Sequence, residues 1–475
     1  MIWSSGNPHL SGNFAPVWDE RDEAGLPLVE GRIPERLEGA YLRNGPNPLF
    51  EPPSYTYPYD GDGMLHAVYL SGGKARYRNR FVETRGLRAE RREGRALYGG
   101  IADPRLPAPE RLRPEDDPGP VKDGAFIHVI AHGGLLLALH EAAPAYALTW
   151  ELETLGEWRA GTDAPLCLGA HTRRHPRSGA RYALNYSLEE PWVELLRIDP
   201  AGSLGARRRI ALAQPTMLHD FVLTERHAVL VCGPAVFDLA AMAGGEGLLQ
   251  WRPELGTRIA VVPLDGGPVA WLEAEPFFVF HFAKGFEQGG RIVLDYVRHQ
   301  RLQPGVAARS KAAGPGLPPR HHRLVLDPAA GRLEDAPLCD LPAEFPRADE
   351  RLEALPSRYL YSPALTRPPE GPSGSFNAIL RLDAESGATV LHDFGAGLVG
   401  EPVFVPDPDG DEETAGWLAL FLYDPARDGS DFLLLDARDP AAPPTARVRL
   451  PRRVPQGLHG SWVERARVAV EPSLR

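Results

Sequence analysis

At 475 residues, with 43% hydrophobic and 24% charged side chains, the chain has the balance of an ordinary globular protein and none of the low-hydrophobicity signature of disorder. Its net charge of −11 is spread along the sequence without any Lys/Arg run interleaved with aromatics, which excludes a nucleic-acid-binding surface. The cysteines Cys167, Cys232 and Cys339 are odd in number and far apart, which excludes a disulfide framework or a cysteine-rich zinc site and suits a reducing cytoplasm.

Residues 1–8 have neither a basic start nor an apolar core, and no run of about eighteen apolar residues occurs. The expectation is a cytoplasmic protein that is neither exported nor membrane-spanning. Helical periodicity is scarce, whereas short apolar runs closed by Gly, Pro or Asp recur from Ala125 onward, so the chain reads as mostly β. Phe126 to Ala138 is a hairpin in outline: an apolar run, the turn residues Gly133 and Gly134, then a second apolar run through Leu139. Strand-like stretches ending in turns follow at Ile198-Asp199-Pro200, Pro263-Leu264-Asp265-Gly266, Leu326-Asp327-Pro328, Leu382-Asp383 and Leu435-Asp436. Their spacing of roughly 50 to 65 residues is the scale of a propeller blade rather than of a βαβ unit. The Pro/Gly-rich stretches Ala307 to Pro319 and Pro368 to Gly374 read as surface loops. No domain boundary is placed, so residues 1–475 are expected to form a single all-β propeller domain.

Of fifteen histidines, most lie in polar stretches where the ordinary role is a surface residue or a satisfied core group. His171, His219, His281 and His459 differ, because each follows an apolar or small residue in a strand-like context: Gly169-Ala170-His171, Met217-Leu218-His219, Val279-Phe280-His281 and Gly457-Leu458-His459. None has a second ligand three or four residues away, which excludes a helix-borne pair and a finger-type site; any metal must be gathered from distant strands. A propeller does this, because its innermost strands converge on one axis.

The residues Gly39-Ala40-Tyr41-Leu42-Arg43-Asn44-Gly45-Pro46-Asn47-Pro48 and Tyr59-Asp60-Gly61-Asp62-Gly63-Met64-Leu65-His66 resemble the opening signatures of the carotenoid cleavage oxygenases. The segments around His171, His219, His281 and His459 resemble, in order, that family's four iron-ligand motifs. The resemblance implies a seven-bladed β-propeller with a loop and helix cap, one Fe(II) per chain held by these four histidines, and oxidative cleavage of a conjugated double bond by O2 into two carbonyl products. Iron comes from the resemblance alone, since imidazole suits Zn, Cu and Ni as well. No catalytic residue beyond the iron site is required, and an apolar small-molecule substrate and O2 are the expected partners. Ligating imidazoles usually donate their other N–H to a carboxylate. Glu141, Glu344 and Glu401 lie at family-like positions for that role, each flanked by apolar residues where an unpaired charge would cost several kcal/mol.

Finer points follow the same resemblance. Ile127 matches a position that narrows access to the metal, although an ordinary core residue is an equal reading. Relatives that cleave phenolic stilbenes or alkenylphenols carry a Lys and a Tyr that hold a phenolate, where this chain has His140 and Ile101; the missing clamp favours a carotenoid or apocarotenoid substrate. From a different class, a non-catalytic propeller holding an apolar ligand or a structural metal is the remaining alternative. The apolar segment 234–249 lies where related enzymes touch a membrane, so it is either a peripheral membrane contact or a buried cap helix. Two departures stand out: Lys284 follows His281 where the family has an Asn, and Thr172 and His175 replace a usual Pro and Asp, making His175 a rival to His171.

Overall fold

A computed structural model describes residues 6–302, 317–368, 371–372 and 374–470. Most of the expected loop at Ala307 to Pro319, and part of that at Pro368 to Gly374, lie outside the described residues. Among the described residues the chain is nearly all strand, with α-helices only at Arg85–Glu93 and Leu239–Ala243. The strands form seven sheets of three to six strands, together with a two-stranded ribbon of Ala235–Phe237 and Leu249–Trp251.

The repeating Asp turns have a common physical basis. Asp199, Asp265, Asp327, Asp383 and Asp436 each accept a backbone N–H from two to four residues further on: those of Ser203, Gly267, Ala330, Glu385 and Arg438. Such side-chain turns reverse the chain at a strand end at little steric cost. The spacing legible in the sequence is therefore the spacing of one equivalent hairpin in five successive sheets. The hairpin of His128–His132 and Leu135–Leu139 closes through Gly133 and Gly134, both at positive φ, the conformation a two-residue turn between twisted strands demands.

By packing, the chain divides into two compact units: Met1–Cys167 with Arg367–Ala378 and His392–Arg475, and Leu168–Thr366 with Ile379–Leu391. In the first unit, strands from the two ends of the chain share sheets. Gly460–Glu464 pairs with Gly39–Pro46, and Ala446–Arg449 pairs with Leu28–Gly31. The two opening signatures are adjacent antiparallel strands, Gly39–Pro46 against Gly63–Ser71. Their residues alternate between two cores: Tyr41 and Val68 enter one, while Ala40, Leu42, Leu65, Ala67 and Tyr69 enter the other. A sheet packed on both faces buries both phases of the period-two pattern, which is why these strands read as near-continuous apolar runs. His66 lies among them as a core histidine, its Nδ1 2.8 Å from the Tyr77 hydroxyl. In the second unit Val222, Val229, Ile259, Phe282, Leu294 and Leu324 belong to a comparable core.

The edge strands decide where functional side chains emerge. His171 immediately precedes the edge strand Thr172–Arg174, His219 lies three residues before Val222–Leu223, His281 precedes Phe282–Gln288, and His459 precedes Gly460–Glu464. Ile127 precedes His128–His132 in the same way. Glu344 lies in a segment bridged to the edge strand Tyr359–Ala364, and Glu401 lies between Leu398–Val399 and Val403–Pro406. Each of the seven sheets thus contributes one residue at an equivalent place, in chain order Ile127, His171, His219, His281, Glu344, Glu401 and His459.

Candidate metal centre

Three of the four histidines belong to the second unit and meet there. The rings of His171 and His219 are 4.9 Å apart, and each is 5.2 Å from that of His281, with interplanar angles of 72–73°. One ring nitrogen of each lies within 4.8 Å of the others, and Nε2 of His171 is 3.3 Å from Nε2 of His219. Nitrogens at that spacing either share a proton or turn lone pairs to one ion, and the spacing suits a cation about 2.0–2.1 Å from each. Gly169 helps to deliver His171: it has φ +65°, and a Cβ there would lie 2.9 Å from the Leu184 carbonyl oxygen.

Behind the three histidines an ion pair ties their strands together. Asp220, the residue after His219, accepts the Phe282 N–H at 2.9 Å and the Arg173 guanidinium at 2.5 Å. Arg173, two residues after His171, also donates to the carbonyls of Phe221 at 2.9 Å and Phe282 at 3.0 Å. One carboxylate and one guanidinium therefore link the residues next to all three histidines. Their side chains are 1% and 11% exposed, and Glu353 lies 3.6 Å from the other arm of Arg173, so removing Arg173 strands carboxylate charge in a poorly solvated site whereas removing Asp220 leaves Arg173 the more distant Glu353.

His281 has its own carboxylate. Glu344 accepts from Nδ1 of His281 at 2.5 Å and from Nε2 of His299 at 2.8 Å. Burial alone would raise the Glu344 carboxyl pKa, but the two imidazoles outweigh it and hold the group well below the usual carboxylate range. A carboxylate only accepts, so a His281 proton sits on Nδ1 and Nε2 is the nitrogen left to face a metal. Phe345 stacks on the His281 ring at 4.9 Å, and Phe280 meets His219 edge-on at 5.6 Å.

In the first unit His459 is held by the same kind of pair. Its Nδ1 lies 2.8 Å from Glu401 Oε1, and Glu401 Oε2 accepts the Gly460 N–H at 2.9 Å. The backbone around it is pinned from the first signature and from Ile127: His459 N donates to Ile127 O at 3.0 Å, Asn44 N to His459 O at 3.0 Å, and Leu458 N to Asn44 O at 2.8 Å. Arg43 donates to the carbonyl of Leu458 at 2.7 Å, to that of Glu401 and to the Tyr41 hydroxyl. The Arg43-Asn44 step of the opening signature is thus a support for the His459 and Glu401 segments.

The remaining expected residues take varied places. Glu141 lies close enough to Tyr59 and His140 for its charge to act on both. Ile127 is buried, and its N–H donates to the Leu139 carbonyl. His140 meets Phe126 edge-on at 5.0 Å, and burial pushes its pKa down to about 4. Ile101 donates its backbone N–H to Asp60 at 2.8 Å. His175 is occupied elsewhere, with Nε2 3.0 Å from the Glu225 carbonyl oxygen and Nδ1 accepting the Ser178 N–H at 3.2 Å, so it does not join the cluster around His171. Lys284 is 2% exposed and donates to the Ser357 carbonyl, with Asp295 3.6 Å away; Asp295 also receives both arms of Arg323. Lys284 is thereby a packing cation. In the segment 234–249, Ala235, Val236, Phe237 and Leu249 are buried, while Leu239 and Ala240 of the short helix are exposed. No helix among the described residues is long and apolar enough to cross a membrane.

Sequence reasoning missed Arg173, Asp220, Arg43, Asn44 and His299 as supports. A usable signal existed for one of them: Asp220 is an acidic residue that directly adjoins His219.

Comparison with known proteins bears on the whole chain. Residues 14–464 match the family described as retinal pigment epithelial membrane protein. The chain is 31% identical over 460 residues to the apocarotenoid-15,15'-oxygenase of Synechocystis sp., covering 92% of both chains. It is 32% identical over 521 aligned positions to a carotenoid cleavage oxygenase of Mycobacterium tuberculosis, covering 96% of this chain and 98% of that one. Among solved structures, the lignostilbene dioxygenase of Pseudomonas brassicacearum superposes with a TM-score of 0.87 at 30% identity, covering 97% of this chain and 99% of that chain. The cobalt-substituted Synechocystis apocarotenoid oxygenase gives a TM-score of 0.83 at 30% identity over 94% and 97%. The seven sheets are accordingly the blades of a seven-bladed β-propeller. The chain belongs to the retinal pigment epithelial membrane protein family of carotenoid cleavage oxygenases, dioxygenases that oxidatively split a carbon–carbon double bond.

Proposed function

We propose that His171, His219, His281 and His459 hold one Fe(II), with Glu141, Glu344 and Glu401 orienting ligand imidazoles, and that residues 1–475 act as one domain cleaving a conjugated double bond of a carotenoid or apocarotenoid. The observation that carries the reading is the repeated histidine–carboxylate pair, His281 with Glu344 and His459 with Glu401, alongside the close-set rings of His171 and His219. Neutral imidazoles with their second nitrogen anchored are a donor set that fits a divalent transition metal. Iron, when bound, supplies an open coordination position for O2 beside the double bond. The chain's own residues do the rest: the carboxylates keep lone pairs turned inward, and Phe280 and Phe345 pack apolar rings against His219 and His281 and keep water from them.

The choice of substrate rests on His140 and Ile101. With a pKa near 4 the His140 ring is neutral at physiological pH, and Ile101 brings only a backbone N–H that Asp60 already accepts, so neither favours a phenolate. The second reading, cleavage of phenolic stilbenes, is favoured by the likeness to the lignostilbene dioxygenase. The exposed Leu239 at the tip of the anchored 234–249 segment supports a peripheral membrane contact through which an apolar substrate enters. Reconstitution with Fe(II), followed by incubation with isotopically labelled dioxygen and either an apocarotenal or para-hydroxystilbene, tests the reading. The expected result is labelled aldehyde products and a higher kcat/KM for the apocarotenal. A higher value for the stilbene defeats the substrate assignment and leaves the iron site standing.

A further inference from the structure

The two oxygens of Glu344 face two different histidines of the neighbouring strand pair. Oε2 accepts from His281, and Oε1 accepts from Nε2 of His299 at 2.8 Å. We propose that His299 is a positioning residue of the metal centre: it clamps the far oxygen of Glu344 and thereby sets the orientation of the His281 ring. The proposal rests on the metal-binding reading above and adds a residue that lies beyond the carboxylate.

The geometry carries the inference in three ways. First, a carboxylate anchored on one oxygen keeps rotational freedom about its terminal torsion, which is broad and roughly two-fold. A second anchor on the other oxygen removes that freedom and passes the restraint to His281. Second, His299 is itself rigidly placed. It is 4% exposed, it exchanges two backbone hydrogen bonds of 2.9 Å with Phe278, and its ring meets Phe280 edge-on at 5.2 Å and 81°. Third, the connectivity makes a brace. His281 and His299 flank the antiparallel pair Phe282–Gln288 and Arg291–Arg298, whereas Glu344 comes from the next sheet, so one sheet grips the carboxylate from both sides. The carboxylate accepts only, so His299 carries a proton on Nε2; its Nδ1 is buried and has no hydrogen-bond partner among the described residues. The Nε2–H donor is thereby committed to Glu344.

The test uses Co(II) as the probe on metal-free protein, read by its ligand-field absorption, with His299→Phe removing the donor and His299→Gln restoring an N–H at nearly the same place. The proposal predicts that His299→Phe binds Co(II) on the order of 10-fold more weakly, with a changed spectrum, and that His299→Gln returns affinity and spectrum toward wild type. Wild-type affinity and spectrum in His299→Phe overturn it. Equal losses in both variants also overturn it, since they would mean a role in folding rather than in donation. Should His299→Phe fail to fold, a His299→Gln spectrum unlike wild type counts against the proposal and a matching one supports it. His281→Ala is the control for the underlying reading: if it binds Co(II) as the wild type does, the metal site itself is wrong, whatever His299 does.

Discussion

The second unit and the first hold their candidate ligands by different means. In the second, three histidines come from three separate sheets, and the residues beside them are joined by a charged pair, Asp220 and Arg173. In the first, His459 precedes a strand that pairs directly with the Gly39–Pro46 signature, and among the described residues Arg43 donates to neutral oxygens, those of Leu458, Glu401 and Tyr41. The difference follows from what each backbone already supplies. Where ladder hydrogen bonds run up to the ligand, a cation capping carbonyls suffices. Where three histidines come from three different sheets, side chains supply the link across sheet boundaries, where no strand ladder runs.

Four experiments probe that contrast, in descending order of expected effect. Replacing His171 or His219 by Ala should abolish metal binding and activity, because each change removes one donor from a small, closely spaced set; iron content measured after reconstitution decides, and normal content would remove that residue from the site. Asp220→Ala should cost about 3 kcal/mol of stability by removing the nearer carboxylate of the poorly solvated Arg173 and leaving it only Glu353 at 3.6 Å, together with loss of the acceptor for Phe282 N–H. Arg43→Met, which strands neutral carbonyls instead, should cost less, about 1–3 kcal/mol. Denaturant titration of both proteins ranks them, and a larger loss for Arg43→Met would break the comparison. Glu401→Gln and Glu344→Gln should each fold normally yet bind metal on the order of 10- to 100-fold more weakly. Wild-type affinity in both would mean that these carboxylates merely pack.

The smallest effect is one of pH. Burial depresses the His140 pKa to about 4, below the value of about 6.5 in an unfolded chain, so the unfolded state takes up the proton first as the solution is acidified. The contribution of His140 is present above about pH 6.5, falls as pH drops toward 4, and is level below that. His140→Leu should flatten this part of the stability curve between pH 7 and 4.5. The same depression predicts that mild acidification to pH 6 does not confer stilbene cleavage, and its appearance there would show a protonated ring.

Much of this was legible in the sequence, for definable reasons. The Asp turns could be found because the side chain that makes each turn is local to it, and the four histidines because each sits just before a strand with an apolar residue ahead of it. Glu344 and Glu401 were found through the need of an imidazole for a carboxylate, together with the family resemblance. The Arg173–Asp220 link joins residues 47 apart in sequence, and nothing local marks it: its existence depends on which sheets lie side by side. His299 was invisible for the same reason, since its partner Glu344 is 45 residues away. Lys284 looked like a disturbance of the ligand motif, but the period-two alternation of its strand turns it toward Asp295 and the Ser357 carbonyl.

The proposal that matters most is that His171, His219, His281 and His459 hold one Fe(II). Anaerobic Fe(II) titration of metal-free wild type and His459→Ala tests it most directly. The account predicts one tightly bound iron per wild-type chain and its loss, or a fall in affinity of at least about 100-fold, in His459→Ala with the fold retained by circular dichroism. Unchanged stoichiometry and affinity in His459→Ala would contradict it.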